Sequence, residues 1–185
     1  CLFYAAAGGH LELTKWIMQE LPEESRYELD KDGASVFHWA CFGGNKELIQ
    51  HLTEDPKLDV HAITSEKMVS VHFAAAGGRQ EAVSWFNDKT LNGQPALFVK
   101  DNEERNVAHF AAMGGHAHLI QHLLDTETFR AWVSHKTKSN WNIIHFMALG
   151  GHLACLEYFS THDSIKSLLT ESTATPDLRD VTEIA

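Results

Sequence analysis

Basic side chains are in short supply. Fifteen lysines and arginines stand against 25 aspartates and glutamates, a formal net charge of −10. Such a surface repels phosphate, which argues against general binding of nucleic acid or anionic membranes while leaving room for a local basic patch. No apolar run approaches the roughly 18 residues that span a bilayer, so membrane insertion is not expected. The only cysteines are Cys1, Cys41 and Cys155, an odd and widely spaced set without a C-x-x-C pair. That set offers neither a disulfide nor a zinc framework, and free thiols fit a reducing compartment such as the cytosol. A phosphate-cradling loop is missing too, because the glycine pairs follow apolar phrases and carry no Lys in the required place. What is present is 44% hydrophobic against 22% charged residues over a length of 185. Those proportions support a packed core, in one compact domain or one short repeat array.

Glycine pairs decide between the two. They occur at Gly8-Gly9, Gly43-Gly44, Gly77-Gly78, Gly114-Gly115 and Gly150-Gly151, at spacings of 35, 34, 37 and 36. Each pair closes a similar phrase: LFYAAAGGH from Leu2, FHWACFGGN from Phe37, VHFAAAGGR from Val71, AHFAAMGGH from Ala108 and IHFMALGGH from Ile144. Alanine-rich phrases led by an aromatic predict a short, closely packed helix, and glycine past its end predicts a left-handed stop. An amphipathic run follows each pair, with apolar residues three and four apart. These are Leu11, Leu13, Trp16 and Ile17; Leu48, Ile49 and Leu52; Ala82, Val83 and Phe86; Leu119, Ile120, Leu123 and Leu124; and Leu153, Leu156, Tyr158 and Phe159. The unit is helix, glycine turn, helix and polar connector. One such pair cannot bury its apolar face alone, so the units must stack into an all-α solenoid.

The phrases resemble the ankyrin repeat, whose signature is T-P-L-H-x-A-A-x-x-G-H after a hairpin turn. The signature His matches His38, His72, His109 and His145, and the first Ala matches Ala5, Ala40, Ala74 and Ala111, with Met147 in the fifth copy. Leu58 to Ala62 resembles the family's connector, and Asp30 to Gly33 its D-x-x-G hairpin tip. The resemblance implies an ankyrin-repeat domain over residues 1–185: a partial first repeat (1–29), repeats at 30–63, 64–100, 101–136 and 137–174, and a partial sixth (175–185). No copy keeps Thr-Pro; the Thr position holds Ser35, Val69, Asn106, Asn142 and Asp180, all but Val69 able to cap a helix. Phe3 replaces the signature His in the first copy, the later connectors are longer, and Asn92 to Pro95 reads as an added turn. Cys1 and Ala185 both fall inside repeat phrases, so the chain is expected to be a piece of a longer protein or array.

Chemistry-bearing residues are weighed against this frame. Of the 13 histidines, seven fall at repeat positions: the four signature residues, and His10, His116 and His152 after the glycines. In the family the signature His hydrogen-bonds the backbone of adjacent repeats. His116, His118 and His122 could share a helix face around zinc, but no carboxylate or Cys follows at ligand spacing. Cys41 near His38 suggests a thiol nucleophile, yet it sits where a small side chain packs between helices, and burial keeps a thiol inert. Cys155 reads as core in the same way. Glu23-Glu24 and Glu103-Glu104 read as solvated surface, and Trp39, Phe73, Phe110 and Phe146 as a core ladder just after the signature His. No catalytic residue, metal or cofactor is expected, and a metal- or thiol-dependent enzyme is the least favoured reading.

The resemblance places function on the concave side, made of hairpin tips and the exposed ends of the first helices. Those positions hold Phe42, Ala76, Met113 and Leu149 on the helices, and Ala34, Met68, Arg105 and Trp141 beside the tips. Several are unexpectedly apolar for exposed sites, which marks a contact region. Asp32 and Glu103 belong with them on the tips, and the acidic tip of Asp101, Glu103 and Glu104 suggests steering of a basic partner. The expectation is a monomeric, cytoplasmic protein-interaction module that binds a partner protein or another domain of its own protein. The alternative is a targeting or regulatory repeat domain of a larger multidomain enzyme, or of a secreted bacterial effector acting in the host cytosol, whose catalytic part lies outside these residues.

Overall fold

The structure is a computed structural model that describes residues 1–91, 93–126 and 133–161. Five helix pairs run along it. They are α1 (Leu2–Ala7) and α2 (Leu11–Glu20), α3 (Val36–Gly43) and α4 (Lys46–Thr53), α5 (Ser70–Ala76) and α6 (Gln80–Trp85), α7 (Val107–Met113) and α8 (Ala117–Asp125), and α9 (Ile143–Leu149) and α10 (Leu153–Ser160). The inner helices pack in serial order, α1 on α3 on α5 on α7 on α9, each with its own outer helix behind it. That is the all-α repeat solenoid expected from the glycine spacing. Of the added turn expected at Asn92 to Pro95, Asn92 is outside the described residues, and Gln94–Pro95 forms strand β2, which pairs antiparallel with β1 (Thr90–Leu91). The partial sixth repeat and the end of the fifth also lie outside them.

Each glycine pair divides its labour. Gly78 takes the left-handed conformation at φ +68, which turns the chain from α5 toward α6. Gly77 serves packing: a Cβ there would stand 2.2 Å from the Phe42 carbonyl oxygen of the preceding repeat. Only a residue without a side chain lets the two inner helices approach so closely.

The outer helices bury the predicted faces in the middle of the array, where Leu48, Ile49 and Leu52, Ala82, Val83 and Phe86, and Leu119, Ile120, Leu123 and Leu124 are all core. The ends differ. Leu13 and Trp16 are exposed, and α2 buries Thr14, Ile17 and Met18 instead; in α10, Cys155 and Phe159 are buried while Leu153 and Tyr158 face solvent. Leu13 holds the register of Leu48 and Ala82, which are buried in the later units.

Four hairpins join the units, each a closed five-residue loop. The backbone N–H groups of Asp30, Thr64, Asp101 and Thr137 donate to the carbonyls of Ala34, Met68, Arg105 and Trp141. In return those four residues' N–H groups donate to the side-chain oxygens of Asp30, Thr64, Asp101 and Thr137. The fourth residue of every loop has positive φ: Gly33, Lys67, Glu104 and Asn140. Successive hairpins are tied along the array by Ser65 N–H to Asp32 O at 3.0 Å, Asn102 N–H to Glu66 O at 2.9 Å and Lys138 N–H to Glu103 O at 3.1 Å.

Candidate protein-binding groove

The signature histidines cap the inner helices. The N–H groups of Ser35, Val69, Asn106 and Asn142 donate to Nδ1 of His38, His72, His109 and His145 at 3.1–3.2 Å. In His72 this leaves the proton on Nε2, which donates to the Val99 carbonyl at 3.0 Å, in the connector that leads to the next hairpin. Val69, which has no side-chain oxygen, keeps this bond to its own N–H all the same. Asn106 and Asn142 add side-chain caps to the N–H groups of Ala108 and Ile144. Ser35, expected to cap, instead has its hydroxyl 3.0 Å from His38 Nδ1. Asp180 is outside the described residues. Burial pushes His38 and His72 down to about 4 and His109 to about 3, so these rings are neutral near pH 7.

The residue after the third, fourth and fifth glycine pairs reaches back one unit. Arg79 Nε donates to the Phe42 carbonyl at 3.1 Å, His116 Nε2 to that of Ala76 at 2.8 Å and His152 Nε2 to that of Met113 at 2.8 Å. Of the other imidazoles weighed for zinc, His118 Nε2 lies 3.0 Å from the Gly78 carbonyl and His122 Nε2 3.3 Å from Ser84 Oγ. The three rings are thus engaged by separate protein groups. Cys41 is wholly buried and its thiol is pushed up by desolvation, while the Nδ1 of His38 is taken by Ser35. Burial likewise raises Cys155.

These contacts hold the ends of α3, α5 and α7 beside the hairpins. There the structure opens an apolar depression of about 350 Å³, lined by Trp39, Phe42, Met68, His72, Phe73, Ala76, Arg105, Phe110 and Met113. Five of the predicted groove residues meet in it: Phe42, Ala76 and Met113 from the helix ends, and Met68 and Arg105 from the hairpins. Edge-on rings make its floor, with Trp39 5.5 Å from Phe73, and the His72 ring stacks on Phe110 at 4.8 Å. The aromatic ladder read as core is therefore also a wall of the groove. Its signal was the recurrence of an aromatic at one register of every inner helix, a register that neighbours both the core and the concave side.

Other expectations need correction. Trp141 is 6% exposed, its ring stacked on His145 and set against Phe146, so it is no solvent-facing anchor. Ala34 at the same hairpin position is buried as well. Leu149 is 54% exposed, one unit beyond the depression rather than within it. Asp32 is exposed and Glu103 half-buried on their tips. The acidic tip is less charged than its letters suggest. Asp101 is buried and paired with Arg105 (Nε to Oδ2, 2.5 Å), and Glu104 pairs with Lys100 at 3.2 Å. The Arg105 guanidinium in turn lies 5.1 Å over the Phe110 ring.

The family's model of ankyrin repeats, in three copies, matches residues 2–94, about half of the chain. The chain belongs to the ankyrin-repeat family. The ankyrin hairpin, histidine cap and glycine pair recur beyond the matched stretch, through Gly151. Comparison with curated proteins finds no match. Ankyrin repeats are as a class protein-interaction modules, and such domains are typically non-catalytic. Among the described residues no helix is long and apolar enough to cross a membrane.

Proposed function

We infer that this ankyrin array binds a partner protein, or another domain of its own protein, through the groove between hairpins and inner helices. The observation that carries the reading is the apolar depression bounded by Phe42, Met68, Ala76, Arg105 and Met113. Concave sites that bury an apolar group between fixed walls are where binding energy concentrates. The walls here are fixed, since the carbonyls of Phe42, Ala76 and Met113 are each clamped by the next unit. A cytosolic setting belongs to the proposal and is supported by the free, buried thiols of Cys41 and Cys155. Targeting or regulation of an enzyme domain is the form this binding takes when the partner lies on the same protein.

The test compares the native chain with a Phe42→Ser/Met113→Ser variant that keeps the native helical spectrum and melting temperature within a few degrees. Cross-linked partners are identified by mass spectrometry from the same cell extract. The groove reading expects a discrete set captured by the native chain and lost from the variant. Identical sets from both would remove the groove from the binding surface.

A further inference from the structure

The hairpins add a charge pattern to the apolar groove. Asp32, Glu66 and Glu103 occupy the same position, third in the loop, in three successive tips. No ion pair reaches these carboxylates among the described residues, whereas the neighbouring Asp101 and Glu104 are neutralised by Arg105 and Lys100. Lys31 and Lys67 stand at other loop positions, but those are not basic throughout the same tips: Ser65 and Asn102 match Lys31, and Gly33 and Glu104 match Lys67. The acidic row is held in register, because the carbonyls of Asp32 and Glu66 each accept a hydrogen bond from the next tip. It runs beside the depression, two residues before Met68 and Arg105, which line it.

We propose that the groove takes an extended basic segment of a partner protein, one large apolar side chain filling the depression and Lys or Arg residues facing Asp32, Glu66 and Glu103. This rests on the groove reading above and specifies its occupant. Stacked helices advance about 8–10 Å from one to the next. An extended chain rises about 3.3 Å per residue. One unit of the array therefore corresponds to about three residues of the segment, so basic residues belong three positions before and after the apolar anchor. A depression of about 350 Å³ admits a Leu, Met or Phe side chain. The net charge of −10 favours such a segment at long range and disfavours a second copy of this acidic chain as occupant.

The probe is an array of synthetic peptides of about eleven residues, with Leu, Met or Phe fixed at the centre and the flanks randomised, exposed to the full 185-residue chain. Lys and Arg should be selected three positions either side of the anchor. An Asp32→Asn/Glu66→Gln/Glu103→Gln variant should lose that selection and bind the selected peptide roughly tenfold more weakly at low salt, while keeping the preference for an apolar centre. Neutral or acidic flanks, or unchanged binding by the charge variant, overturn the proposal and leave the groove reading standing. Enrichment of no peptide also overturns it, since an extended segment is then not the occupant. Equal binding by the Phe42→Ser/Met113→Ser variant removes the groove itself and the proposal with it.

Discussion

The signature histidine accepts the N-cap N–H through Nδ1, and that role needs the ring neutral. Its Nδ1 must keep a lone pair to accept the N-cap N–H, while its Nε2–H is the donor that in His72 crosses to Val99. Protonation places an N–H where an N–H already points. Unfolded, these rings titrate near 6.5; folded, His38 and His72 resist a proton until about 4 and His109 until about 3. The unfolded chain therefore binds more protons between those limits, and stability falls as pH drops below 6.5. His116, His135 and His145, also lowered by burial, act in the same direction. The loss between pH 7 and 5 should be on the order of 1–2 kcal/mol for each of the three deeply buried rings. Urea midpoints measured across that range check it, and a flat profile would show that the rings do not carry this linkage.

At the scale of the element, the glycine turns and the residues after them hold neighbouring helices together. Gly77→Ala sets a methyl group 2.2 Å from the Phe42 carbonyl oxygen, so the α3–α5 interface must open, at a cost of about 2 kcal/mol or more. Gly93 is the control: a Cβ there meets nothing within 4 Å, and its φ of +78 alone should cost Gly93→Ala about 1 kcal/mol. Thermal melts of the pair distinguish packing from conformation; equal losses would mean that close approach is not what Gly77 provides. His116→Ala removes the donor to the Ala76 carbonyl, and should cost about 0.5–1.5 kcal/mol while speeding hydrogen exchange at the end of α5. Unchanged exchange there would dismiss the clamp.

These elements also mark how far the sequence could be read. Repetition exposed whatever each unit does by itself: the helix, the glycine stop, the buried His, and the convergence of Phe42, Met68, Ala76, Arg105 and Met113 on one side. It failed where one unit answers to another, or where residue size changes the packing. Met68, Arg105 and Trp141 share a hairpin position, yet of these three Trp141 alone is buried, its indole lying back on His145. Leu13 has the letters of a buried face, yet α2 turns Thr14, Ile17 and Met18 inward and leaves it exposed. Asp101 carries a surface letter yet is buried, because its carboxylate closes the loop on the N–H groups of Glu103 and Arg105.

The whole molecule behaves as a line of units rather than as one sphere. Among the described residues each inner helix packs chiefly on the inner helices before and after it and on its own outer helix, so α5 joins α3 to α7. In such an array stability is a sum of unit and interface contributions, and cooperativity depends on every interface being strong. Ala74 lies at the middle of that link and is fully buried. Ala74→Gly weakens the helix and removes a packed methyl, together about 1–2 kcal/mol. A compact core would spread that loss evenly, lowering the urea midpoint at constant slope. The linear arrangement predicts a shallower slope instead, because the units before and after α5 begin to unfold separately. Hydrogen exchange should then assign different opening free energies to α1–α4 and α7–α10, with α5 protected least of the inner helices. A variant that still unfolds at the native slope, with uniform loss of protection, would show that the coupling does not run through nearest neighbours alone.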